Sequence, residues 1–196
     1  MTKQRRTFPM IHETTFRNMS EQELDIEAVR NRIAGFIAQD PRAVYNLVVT
    51  TDAQVHSGHT KFVTFIVAYR VGRGAWLCSR QVILPREIQS VQEKLFLETT
   101  YSQEIAVHFD YHYRAQLEDM ILPFMDGGAD MKFFVDIDGG TDKIKNKTAA
   151  YVAEMVSLVE AMGLIARVKP ESVMVSIADR ETKKPYRLPL SAAANG

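Results

Sequence analysis

Three aspartates stand where a carboxylate can do chemistry. Asp52 follows the β-branched run Val48-Val49-Thr50-Thr51 and precedes the amide Gln54, Asp136 lies in Phe133-Phe134-Val135-Asp136-Ile137-Asp138-Gly139-Gly140, and Asp179 lies in Ser176-Ile177-Ala178-Asp179-Arg180. Carboxylates at the ends of buried strands and near a C-terminal helix are the parts of a divalent-metal phosphoryl-transfer site, because hard cations take oxygen ligands, polarise phosphoryl oxygens and activate water. Each acid also has a plainer reading. Asp52 can be a turn residue, Asp136 or Asp138 a helix cap or Asx turn, and Asp179 a surface residue beside Arg180.

The elements that must position these acids follow from spacing. Ser20-Glu21-Gln22-Glu23 has the pattern of a capping box, and Ile26, Val29, Ile33 and Ile37 then recur at helical spacing until Asp40-Pro41. The chain is β-rich from 44 to 51, and two further strands, 61–71 and 75–84, are joined by Gly72-Arg73-Gly74, so three strands in a row are expected to be antiparallel. Pro85 opens a helical region reaching Leu122, long enough for a kink or for two helices. On it Ile88, Val91, Leu95, Glu98, Ser102 and Ile105 share a face. Glu98 thus sits in an apolar stripe, either at its edge, where it reaches solvent or a basic partner, or inside it, where an unpaired carboxylate is costly.

A strand at 131–137, a helix with Ala149, Val152, Val156, Val159 and Met162 on one face, a C-cap at Gly163 and a fifth strand at 164–168 complete the pattern. The fold class is α/β: a mixed five-stranded sheet, three antiparallel strands and then alternating helices and strands, with helices on both faces. The chain divides into an N-terminal arm at 1–19, one domain at 20–184 and a flexible C-terminal tail at 185–196.

Composition narrows the function classes. With 196 residues and 46% hydrophobic content the chain supports one core. Basic and acidic residues number 24 each, so no global charge advertises a nucleic-acid or membrane partner, although residues 1–18 and 167–187 each carry +3. The single cysteine, Cys78, beside Trp76, Leu77 and Val82, excludes an internal disulfide framework or a cysteine-built zinc site and reads as a small buried hydrophobe. With no long apolar stretch and no signal-peptide pattern, the expectation is a cytoplasmic protein without a membrane partner.

The order of elements with these acids resembles the ribonuclease H-like superfold and, more narrowly, the YkuK-type family within it. The resemblance rests on Thr51-Asp52-Ala53-Gln54, on Val135-Asp136-Ile137, and on Val168-Lys169-Pro170-Glu171-Ser172 leading to Ala178-Asp179, across residues 22–184. It implies a metal-dependent nuclease-like site with Mg²⁺ or Mn²⁺, in which Asp52 bridges two ions, Asp136 and Asp179 each hold one, and Glu98 completes the set. Asp138 stands two residues from Asp136, on the same face of a strand, so either is the candidate second ligand. Gln54, Lys145 and Lys169 are the candidate substrate-binding residues, the two lysines by orienting phosphates. Ala53 stands where the family commonly has serine, which removes a hydroxyl. A non-catalytic module of the same superfold that binds nucleic acid or protein is the rival reading.

The remaining signals are weaker. Asp136-Ile137-Asp138-Gly139-Gly140-Thr141 also resembles a phosphate loop of actin-like ATPases, but those clamp nucleotide between two such domains and this chain supplies one. His56 and His59 are expected to be exposed turn residues near Asp52, able to shuttle a proton or ligate a metal only as a second reading. His108 and His112, one helical turn apart, lack the glutamate of a zinc-protease motif and are expected on a helix surface or in packing.

Overall fold

Alternating β-branched and aromatic side chains build the sheet, and two tight turns fix its register. The computed structural model describes residues 10–140 and 148–172. Strand β1 (Ile11–His12) is followed by β2 (Val44–His56), β3 (His59–Arg70), β4 (Gly74–Leu84), β5 (Asp130–Gly140) and β6 (Ile165–Lys169), arranged β1-β4-β3-β2-β5-β6. Strands β2 and β3 are antiparallel across Ser57-Gly58, where Gly58 takes φ 81°, and β3 and β4 across Val71-Gly72-Arg73, where Gly72 takes φ 73°. Strand β5 runs parallel to β2 and β6 parallel to β5. Among the described residues the sheet therefore has six strands rather than five. The extra one is β1, a two-residue piece on the edge of β4, too short to show any periodicity.

The segment expected to be an arm is tied down over its described part. Arg17 and Ser79 exchange backbone hydrogen bonds of 2.9 and 2.8 Å, and Phe16 is 2% exposed within the main core.

Helix α1 (Ile26–Ala38) buries Val29, Ile33 and Ile37 as the spacing predicts, but it starts later than the capping-box pattern indicates. The Asn18 carboxamide oxygen accepts the amides of Ser20 and Glu21, Glu23 adopts φ 55°, and the true N-cap is Asp25, which accepts the Ala28 amide at 2.7 Å. The long helical region divides into α2 (Val91–Ala106), capped by Ser90, and α3 (Tyr111–Ile121), capped by Asp110, with a 3₁₀ turn at Leu122–Gly127. His108 lies in the break and His112 in α3, both exposed, so they do not form a pair one turn apart on a single helix. Helix α4 (Ala149–Glu160) buries Val152, Met155 and Val159.

Strand alternation assigns the faces. Tyr45, Leu47 and Val49 of β2 and Phe133, Val135 and Ile137 of β5 join buried residues of all four described helices in one core. Val48, Val63, Phe65 and Val67, with Phe134 packed against them, form a separate buried cluster on the opposite face. The expected second layer of helices is not among the described residues. Cys78 is fully buried in β4, and burial pushes its thiol well above the ordinary range, as suits a small hydrophobe rather than a nucleophile. Among the described residues no helix is long and apolar enough to cross a membrane.

Candidate functional site

Asp52 and Asp136 lie inside their strands rather than at the ends, because β2 continues to His56 and β5 to Gly140. Polar residues continue β2 where β-propensity is low because β3 offers a full ladder opposite them, pairing Asp52 with Val63 and Gln54 with Lys61. Thr51 and Ala53 face helix α2. The Ser102 hydroxyl donates to the Thr51 hydroxyl at 2.9 Å, the Thr51 and Thr64 hydroxyls lie 2.9 Å apart, and Ala53 packs with Leu97 and Tyr101. Asp52 therefore projects to the other face, and it is 5% exposed.

On strand β5, Thr50 of β2 opposes Asp136 and its hydroxyl donates to the Asp136 carbonyl at 3.1 Å. The next same-face positions are Asp52 and Asp138. Asp136 and Asp138 do not share one environment. The Arg167 guanidinium donates from Nε to Asp136 Oδ1 at 2.7 Å and from Nη2 to Oδ2 at 3.0 Å, while its Cζ lies 4.0 Å from the Phe134 ring centroid. This bidentate fork takes both oxygens of Asp136. Asp138 is instead ion-paired to the Lys169 ammonium.

Glu98 enters from the helical side, 3% exposed on α2, one turn before Ser102. Burial is the main force raising its carboxyl well above the usual carboxylate range, and the charges of Asp52 and Asp138 raise it further, against Lys94 and a hydrogen bond from the Ala53 backbone, which lower it. Its Oε1 has no hydrogen-bond partner among the described residues. The stripe thus holds Glu98 inside, not at an edge.

Asp52 and Asp138 thus share the face of the sheet away from α2, Glu98 lies on the helical side, near enough for their charges to raise its carboxyl, and Asp136 is held by Arg167. Asp179 and Lys145 lie outside the described residues. Gln54 is half-buried on β2, two residues beyond Asp52 on the same face, and Lys169 is engaged with Asp138. His59 is buried rather than exposed. Its ring stacks on His56 with centroids 4.9 Å apart, and burial lowers its pKa. Gly139 has a packing cause: a Cβ on it would lie 2.6 Å from Val152 Cγ2, so α4 can approach β5 there only over a bare backbone.

As they stand, no three His, Cys, Asp or Glu side chains among the described residues converge to hold an ion. In kind, the donors suit a hard divalent cation: Asp52, Asp138 and Glu98 offer only oxygen, and Glu98 keeps a buried oxygen without a bond. Asp136 does not suit one, since its charge is already matched. Arg167 is the residue that the sequence reading did not single out. Its signal is the two-residue spacing of Arg167 and Lys169 on a strand, which mirrors that of Asp136 and Asp138 on its neighbour.

Three antiparallel strands continued by two parallel ones, with acids on the first long strand, the crossover helix and the fourth long strand, define a protein of the ribonuclease H-like class. The chain belongs to the Ribonuclease H-like family, whose model matches residues 28–183. Within that class its likeness is to the YkuK type: it is 39% identical over 169 residues to the "Uncharacterized protein YkuK" of Bacillus subtilis (strain 168), a match covering 86% of this chain and 96% of the relative. No solved structure matches the chain.

Proposed function

We propose that the chain is a nuclease of the cytoplasm that hydrolyses nucleic-acid phosphodiesters, DNA or RNA, with Mg²⁺ or Mn²⁺ held by Asp52, Glu98 and Asp138. The observation that carries this reading is Glu98: a buried carboxyl raised further by the charges of Asp52 and Asp138, with an oxygen left without a partner among the described residues, is costly unless protonated or given a cation. Such an ion would supply Lewis-acid polarisation of a phosphoryl oxygen and an activated water. Asp52 and Asp138 would bind it from the sheet and Glu98 from α2, which Ser102, Thr51 and Thr64 anchor to β2 and β3. Arg167 would hold Asp136 out of direct ligation and in a fixed orientation. Asp179 as a further carboxylate, and Gln54 and Lys145 as substrate contacts, extend the proposed site.

Manganese calorimetry on the wild type and on Asp52→Asn tests the cation, and incubation with single-stranded, duplex, hybrid and branched nucleic acids tests the chemistry. Loss of manganese binding in Asp52→Asn with divalent-dependent cleavage by the wild type is the expected result. Unchanged affinity in the variant sinks the assignment. A second reading, a non-catalytic nucleic-acid- or protein-binding module, draws support from the two cations already paired with Asp136 and Asp138. Binding of nucleic acid without cleavage in any divalent ion decides for it.

A further inference from the structure

Helices α2 and α4 lie side by side and leave an apolar seam open to solvent. At one end Phe96 and Met155 wall a cavity of about 240 Å³ that Ser90, Gln92, Glu93 and Glu154 complete. At the other, the Gln103 carboxamide nitrogen donates to the Leu158 carbonyl at 2.9 Å and to Met162 Sδ at 3.0 Å, so the two elements touch there without covering Leu158 or Met162. Phe96, Leu158 and Met162 remain 45%, 36% and 41% exposed. Large apolar side chains scattered singly on a surface need no explanation, but these line one seam between two helices. The charge beside the seam has one sign. From Ala149 to Met162 the chain carries Glu154 and Glu160, both exposed, and no Lys or Arg. Arg86 matches Glu93, whereas Glu154, on the cavity wall, is in no ion pair among the described residues. Small-ligand pockets run from about 300 Å³ upward, so this cavity suits a single side chain. Its aromatic face and unmatched carboxylate suit a cation, with the stem against Met155 and the charge over Phe96 and beside Glu154.

We infer that the seam between α2 and α4 docks an amphipathic helix of another protein, with a lysine or arginine of that helix in the cavity and its apolar residues along Leu158 and Met162. A helix suits the seam because its side chains form ridges that fit the groove between two helices, and its residues at i, i+3, i+4 and i+7 all face that groove. Among the described residues a second copy does not supply such a face: α1 exposes Arg32 but no large apolar side chain, and α3 exposes Tyr111 together with the acids Glu118 and Asp119. Docking at this seam requires neither a metal nor nuclease activity.

Fluorescence anisotropy of two labelled synthetic peptides, titrated with the full chain, tests the surface. One is a helix of roughly 18 residues with leucine at i, i+3, i+4 and i+7 and lysine elsewhere, and the other has glutamate in place of lysine. The lysine peptide is expected to bind at least about tenfold more tightly than the glutamate peptide, and Phe96→Ser and Glu154→Lys are each expected to weaken it roughly tenfold. Glu118→Lys, the same change of charge on the exposed side of α3, is expected to leave its affinity within about twofold. Glu154→Lys, at an exposed position, keeps the test decisive if Phe96→Ser lowers the melting temperature. No binding of the lysine peptide, equal affinity for the two peptides, or a loss on Glu118→Lys as large as that on Glu154→Lys overturns the docking site. So does a dimer of the chain in sedimentation that Phe96→Ser dissolves, because a second copy is then the occupant of the seam.

Discussion

Replacing Glu98 by glutamine tests whether a buried carboxyl dominates the site. The substitution keeps the size of the side chain and an oxygen to accept the Ala53 amide, but it cannot ionise. Burial, helped by Asp52 and Asp138, raises the Glu98 carboxyl well above its ordinary value of 4.5. In the unfolded chain the same group titrates near that ordinary value. Between the two values the folded chain holds one more proton than the unfolded chain, so the stability contributed by Glu98 is fully present below about pH 4.5 and is lost as pH rises through the folded value. One proton corresponds to about 1.4 kcal/mol for each pH unit crossed. The wild type should therefore lose stability relative to Glu98→Gln by about that much per unit from pH 5 upward, for as long as the raised value extends, and the difference should then level off. Urea denaturation of both proteins in EDTA at half-unit steps from pH 5 to 8 measures it, and comparison with the variant cancels every other titrating group common to the two. A Mn²⁺ concentration of 100 times Kd should stabilise the wild type at pH 8 by about 2.7 kcal/mol, and Glu98→Gln by less. A wild-type-to-variant difference that stays flat across the range, or that favours the wild type as pH rises, refutes the argument.

Two further substitutions probe what surrounds the acids. Gly139→Ala should destabilise the fold by about 1–3 kcal/mol in thermal or urea melts, because its new Cβ would meet the stiff Val152 side chain of α4 at 2.6 Å, and Val152→Ala in the same chain should recover part of the loss. Arg167→Met should cost about 3–5 kcal/mol, read by urea denaturation at neutral pH, because it removes the two-point guanidinium fork from the fully buried Asp136 side chain, and adding Asp136→Asn should remove most of that cost.

The architecture was legible because its signals are local. The glycines at 72 and 74, the β-branched runs on either side of them and the 3.6-residue spacing of Val152 and Val159 each act within a dozen residues, and the structure places strands and a helix there. Strand β1 and the burial of Phe16 were not legible, since a two-residue pairing partner and one anchoring aromatic leave no period to detect. The later start of α1 was hidden by competition: Asn18 satisfies the amides of Ser20 and Glu21 locally, which removes the pattern's claim on the helix terminus.

The candidate site divides along the same line. Glu98 was legible as an anomaly because a carboxylate between Leu95 and Ser102 in an apolar stripe is a local fact, whereas its burial, rather than a place at the stripe's edge, is set by the packing of α2 on the sheet. Which of Asp136 and Asp138 is held by Arg167 and which by Lys169 was not legible, since it depends on two side chains about thirty residues away and on the register of a parallel pair formed through a helical crossover. That register also changes what the basic segment at 167–187 means. Read as sequence, its charge is a patch available to a phosphate backbone. In the fold, Arg167 and Lys169 lie along β5 and are matched by Asp136 and Asp138, so their charge balances the acids of the sheet before it can attract a nucleic acid. Any attraction for a phosphate backbone must then come from the other cations of the chain, and screening by salt should weaken substrate binding without loosening the buried Arg167–Asp136 pair.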